Sequence, residues 1–127
     1  MPERYLFEYA VIRVVPRVER EEFLNVGVVL YCPKLKFLQT KITVNENRLN
    51  AVFTGINLGE LKANLFAFEN ICHGNFDFGT ISKLDHASRF RWLTATRSTI
   101  IQSSKVHPGL CTDPKETLLK LHEQLVL

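Results

Sequence analysis

The stretch Tyr5–Val15 constrains the fold more than any other part of the chain. It is dense in aromatic and β-branched residues, which suit a pleated, partly buried surface. In an extended strand Tyr5, Phe7, Tyr9, Val11, Arg13 and Val15 share one face, and Leu6, Glu8, Ala10, Ile12 and Val14 share the other. The second half is apolar on both faces, so this strand is predicted to lie in the middle of a sheet. Pro16 has no backbone N–H and ends the ladder.

The residues that follow extend this into a meander. Arg17–Asn25 is polar and reads as a loop or single helical turn, with Asn25 and Gly27 marking entry to a second strand, Val26–Tyr31. Cys32-Pro33-Lys34 is a turn. Leu35–Val44 then alternates, with Leu38, Thr40, Ile42 and Val44 on one side, as in a half-exposed antiparallel strand. From Asn45 the period changes. Leu49, Val52, Phe53 and Ile56 suit a short helix. Asn57 to Glu60 resembles a capping box and opens a helix through Leu61, Leu65 and Phe68 to Cys72, stopped by Gly74. Phe76–Ile81 reads as a short strand. Ser82 to Asp85 reads as a second cap, leading into a helix through Phe90 and Leu93. Arg97–Ser103 reads as a last strand and Pro108-Gly109 as a turn. Asp113-Pro114-Lys115-Glu116 is the clearest helix start, with Leu118, His122 and Leu125 on one stripe. The predicted fold is α+β: one domain over residues 1–127, an antiparallel sheet of about four strands with three to four helices packed mainly on one face.

At 127 residues, with 46% hydrophobic and 23% charged residues, such a chain can bury a core without staples. Cys32, Cys72 and Cys111 are an odd, sparse set without C-x-x-C spacing, which argues against a disulfide framework and for a reducing compartment. No His or Cys pair has zinc-ligand spacing, so neither metal nor cofactor is expected. The opening residues lack a signal-peptide pattern, and the apolar runs are too short to span a membrane. A cytoplasmic location follows, with the oligomeric state left open.

The motifs of phosphate-binding loops, dinucleotide sites, serine hydrolases and zinc proteases do not occur. Asp77-Phe78-Gly79 copies a kinase tripeptide without the lysine strand and catalytic loop that would give it meaning. Two features stand out instead. Arg13 places a charge on an otherwise apolar strand face, where it must find a partner, either a carboxylate such as Glu8 or Glu22 or an anion in a cleft. And between Asp85 and Asp113 there is no acidic residue, while His86, Arg89, Arg91, Arg97, Ser98, Thr99, Lys105 and His107 accumulate beside Phe90 and Trp92. Arginines with hydroxyls can hold phosphate, and aromatics beside them can stack a base. The net charge of +3 is too mild to imply nucleic acid by itself.

The runs Tyr9-Ala-Val-Ile-Arg13-Val-Val-Pro16 and Glu22-Phe23-Leu-Asn25-Val-Gly27-Val-Val-Leu30 resemble the opening signature of the bacterial domain of unknown function 3037 family. Ser88-Arg89-Phe90-Arg91-Trp92-Leu93, Arg97-Ser98-Thr99, His107-Pro-Gly109 and Thr112-Asp113-Pro114 are similar to its later stretches, so the likeness spans nearly the whole chain. It implies no catalytic residues. It does imply that Arg13, Glu22, Asn25, Arg97 and His107 are polar groups shared for reasons other than packing. It also implies an association with kinases resembling the HipA toxin type.

Three functions compete on these grounds. One is a non-catalytic module that docks on another protein, such as a kinase or a toxin or defence partner. Another is a nucleic-acid or phosphate-binding domain using the Arg89–His107 window. The third is a small hydrolase in which Glu22 or His107 is the base and Arg13 and Arg97 stabilise charge, which requires these four to converge. The candidate binding residues are Arg13, Glu22, Asn25, Arg89, Arg91, Trp92, Arg97, Ser98 and His107.

Overall fold

The structure, a computed structural model, describes residues 3–75, 79–95 and 99–127. Its elements are β1 (Tyr5–Val14), β2 (Leu24–Cys32), β3 (Phe37–Ile42), α1 (Glu46–Val52), α2 (Leu58–His73), α3 (His86–Thr94), β4 (Ile101–Ser103), β5 (His107–Cys111) and α4 (Pro114–Leu125). The five strands form one antiparallel sheet in the order β3-β2-β1-β4, with β5 also on β1. The fold is α+β with an N-terminal meander, and β1 is central, as its two apolar faces require. The part of the predicted Phe76–Ile81 strand that spans 76–78 lies outside the described residues, and Ile81 opens a short 3-10 turn.

The edge of β1 that faces away from β2 is divided. β4 pairs with Ile12–Val14 and β5 with Tyr5–Tyr9. Ser104 bridges the step between them. Its N–H donates to the Val11 carbonyl at 2.8 Å, and its Oγ accepts from the Val11 N–H at 2.8 Å. Val11 is buried, and Ser104 thereby satisfies both of its backbone groups without a strand residue opposite.

Strand alternation sorts the core into two layers. Ala10, Ile12 and Val14 face Leu49 of α1, Leu61, Leu65 and Phe68 of α2, and Phe90 and Leu93 of α3. Phe7, Val28, Leu30, Cys32 and Cys111 face the other way, against Leu118 of α4. Three helices thus share one face, and α4 covers part of the opposite one.

A bulge lies where β2 meets Arg13. Ile12 pairs with Gly27, but Arg13 pairs with Asn25, so Val26 is the extra residue. Val26 and Gly27 consequently point to the same side. A Cβ on Gly27 would sit 2.8 Å from Ile42 Cγ1 and 3.2 Å from Ile12 Cδ1. Only glycine fits at the second of two successive inward positions. The same extra residue turns Leu24 into the α1–α3 core and Asn25 towards α4.

The helix starts follow their caps. Asn57 Oδ1 accepts from the Glu60 N–H at 3.0 Å, and Gly74 ends α2 at φ 74°. Asp113 Oδ1 accepts from the N–H groups of Lys115 and Glu116 at 3.0 and 3.4 Å, with Pro114 in the first turn. Asn45 caps α1, which therefore begins and ends earlier than its apolar spacing predicts.

Two expectations are corrected. Ser82 does not cap α3: its hydroxyl donates back to the Gly79 carbonyl at 2.7 Å, and Asp85 is the cap, accepting from the Ser88 N–H at 2.8 Å. Pro108-Gly109 is not a turn but lies inside β5. The odd-numbered residues of β1 turn their backbone groups towards β4 and β5, as Val11 and Val15 show. Pro108 stands opposite Glu8, so its missing N–H points outward, where no ladder bond is lost. Gly109 lies under the Phe7 ring, where a Cβ would come within 2.5 Å of Cζ.

Because the Phe7 ring is buried and fixed, Gly109→Ala is expected to destabilise the fold by about 1–3 kcal/mol, read as a lower urea midpoint at unchanged slope. Phe7→Leu in the same chain should recover part of that loss. An unshifted midpoint for Gly109→Ala would refute the close packing.

Candidate functional site

Arg13 sits on β1 with Asn25 and Gln102 as its register partners on either side. It is half-buried, and its guanidinium carbon lies 4.0 Å from the centroid of the Phe23 ring. That distance is within cation–π range. The expected carboxylate partner is not there. Glu22 pairs with Arg20 instead, and among the described residues no acidic side chain forms an ion pair with Arg13. Arg13 Nε is buried without a hydrogen-bond partner, and so is Asn25 Oδ1. Asn25 uses its Nδ2 to donate to the Leu125 carbonyl at 3.1 Å, which ties β2 to the end of α4. Arg48 Nη1 donates to the next carbonyl, that of Val126, at 3.2 Å.

The α4-side face of β1 continues from Arg13 through Val11 to Tyr9. Tyr9 stacks on His107 with ring centroids 5.3 Å apart and on Phe7 at 6.0 Å. Since α4 packs over β2 and β3, this strip lies beside the helix. It has an aromatic pair at one end and a cation on an aromatic ring at the other, about 13 Å apart at the strand rise. The structure therefore brings Arg13, Asn25 and His107 to one face, and adds Phe23 and Tyr9, which were not among the candidate binding residues. The signal for Phe23 was its place in the Glu-Phe-x-Asn-Val-Gly run, two residues before Asn25 on the same strand side.

The other candidates lie elsewhere. Glu22 lines an open cleft of about 280 Å³ with Pro16, Arg17, Arg20, Val52, Phe53 and Thr54. His107 is level with Tyr9 and Glu22 is level with Pro16, a separation of about 20 Å along β1. Glu22 and His107 are thus not brought together, and Arg97 and Ser98 lie outside the described residues. Arg89 has a structural task. Its Nη1 donates to the Leu84 carbonyl at 2.6 Å. Its guanidinium packs on Gly74, at the carbonyl end of α2, where a cation is favoured. Arg91 is exposed on α3 and Trp92 is half-buried against the core on that side. His107 stands on the opposite side of the sheet. The acid-free window is therefore divided between two sides of the molecule.

The thiols are packed away. Cys32, Cys72 and Cys111 are free and buried. Burial pushes the Cys72 thiol up to about 12, far from a nucleophile's range. No described group of His, Cys, Asp or Glu side chains could hold a metal ion, and no described helix is long and apolar enough to cross a membrane. His122 is only 5% exposed. Its Nε2 lies 2.9 Å from Thr43 Oγ1. Burial, with Lys41 nearby, holds its pKa below the ordinary histidine value.

A family model described as "Protein of unknown function (DUF3037)" matches residues 9–126. No curated protein and no solved structure matches the chain.

Two outcomes follow from the buried groups. A thiol reagent should label none of the cysteines in the native protein at neutral pH and all of them in urea. Rapid native labelling of Cys72 would contradict its placement. Burial disfavours the charged form of His122 in the fold, so the unfolded state binds more protons as pH falls below about 6.5. Stability should therefore decline below that pH. The decline should be shallower in His122→Gln, as measured by urea titrations at stepped pH.

Proposed function

The chain belongs to the DUF3037 family, and since that membership carries no activity of its own, we propose from the site that it is a non-catalytic binding module of the bacterial cytosol. It engages a partner protein through the strip of β1 that lies beside α4. The observation that carries this reading is Arg13, a half-buried cation stacked on Phe23 with no described acidic partner. A guanidinium fixed on a ring keeps its planar donors pre-set for a carboxylate or phosphate, with little ordering left to be done on binding. Phe23 itself is 45% exposed, so a partner that accepts from Arg13 also covers apolar surface. Tyr9 and His107 extend the contact along the same strand face. Such a mix of aromatic and arginine is the usual make-up of an interface centre. The resemblance to a family associated with HipA-type kinases names the first partner to try.

The test is capture from cell extract by the tagged chain at low and moderate salt, comparing wild type with Arg13→Gln, Arg13→Lys and Arg91→Gln. Arg13→Gln is expected to lose the partner, Arg13→Lys to lose most of it because the stacked plane is gone, and Arg91→Gln to retain it. Loss with Arg91→Gln and not with Arg13→Gln would move the binding surface to α3.

A further inference from the structure

The opposite end of the sheet carries a second surface, which shares no residue with the Arg13 strip. Among the described residues β3 pairs only with β2. The Val26 carbonyl accepts from the Thr43 N–H at 2.8 Å, and the Val28 carbonyl accepts from Thr40 Oγ1 at 2.8 Å. Val28, Leu30 and Cys32 thus turn their backbone groups to β3, and their register partners Lys41, Gln39 and Phe37 turn inward to complete the ladder. Leu38, Thr40 and Ile42 are left with N–H and C=O groups directed outward. No described group bonds to them there. Neither proline nor bulge guards this edge, unlike β5, where Pro108 removes an outward donor.

Side chains give the edge two unlike flanks. Gln39 and Lys41 lie on the α4 side, where Lys115 Nζ donates to Gln39 Oε1 at 3.1 Å and Lys41 lies close to His122. Leu38 and Ile42 lie on the other side, packed in the α1–α3 core. Lys34, Lys62 and Lys120 have carboxylate partners. Lys41 and Lys115 have none among the described residues, and neither does Lys36 in the preceding turn. Lysines on an edge repel a second copy of that edge, because an antiparallel pair would set like charges against each other. The same lysines attract an acidic strand.

We propose that β3 accepts an extended acidic segment of a partner protein by strand addition. The segment's carboxylates lie on the Lys41 and Lys115 side and its apolar side chains on the Leu38 and Ile42 side. The main chain supplies the attraction and the alternation supplies the selectivity.

The probe is a fluorescein-labelled peptide of alternating Glu and Val, roughly seven residues long, followed by anisotropy against the whole chain. Binding at low salt is expected. N-methylation of the peptide amides that face β3 should weaken it by at least about tenfold, since only main-chain bonding senses that change. Lys41→Glu with Lys115→Glu should weaken it comparably. Thr40→Pro removes an outward donor and the hydroxyl bond to Val28 but spares the backbone ladder to β2, so it should abolish binding while the urea midpoint confirms folding. If that variant does not fold, the methylated and unmethylated peptides still decide. Arg13→Gln should bind the peptide normally, which separates a failure here from a failure at the Arg13 strip. The proposal is overturned if the peptide does not bind, or if methylated peptide or an alternating Lys-Val peptide binds equally well. Self-association of the wild type that Thr40→Pro abolishes would also overturn it, by assigning the edge to a second copy.

Discussion

Two successive positions that face the same way, Val26 and Gly27, set the geometry on which the rest depends. A regular strand would have sent Asn25 into the α1–α3 core and Leu24 out to the α4 side. The extra residue reverses both. Leu24 then adds to the apolar layer, and Asn25 can reach the last carbonyls of α4 while standing beside Arg13. The cost is local crowding between Ile12 and Ile42, which only the missing Cβ of Gly27 relieves. A packing device in the hairpin therefore decides which polar groups meet on the outer face.

Much of the fold was legible because each clue was local. Period-two alternation located β1 and β3, and Asn57, Gly74, Asp113 and Pro114 marked helix ends through backbone bonds made within one turn. The errors arose where a residue answered to something distant. Pro108 and Gly109 read as a turn because both favour turns. Their use depends on the edge of β1 a hundred residues earlier and on the Phe7 ring. Ser82 is a local exception: it read as a cap, yet its hydroxyl serves the turn just behind it.

The site was legible in part for the same reason. Arg13 is conspicuous as a charge on an apolar strand face, and the structure gives it an aromatic ring where a carboxylate was expected. Glu22 and Arg20 are close enough in the chain to satisfy each other, which leaves Arg13 without them. The acid-free window is continuous in sequence, but its described residues do not share one surface. α3 packs on one side of the sheet while His107 of β5 points to the other, and Arg89 is already occupied with the end of α2. His122 shows the reverse: placed by its spacing on the Leu118–Leu125 stripe, it is buried and joins α4 to Thr43 just beyond β3.

The anchoring of α4 by Asn25 and Arg48 bears on how the chain is made. The helix that covers Val28, Leu30 and Cys32 is the final element in chain order. During synthesis the β1–β2 hairpin must wait, one side bare, until α4 has emerged from the ribosome. A nascent chain in that condition offers greasy sheet surface to whatever is nearby, which makes it a natural client for a chaperone.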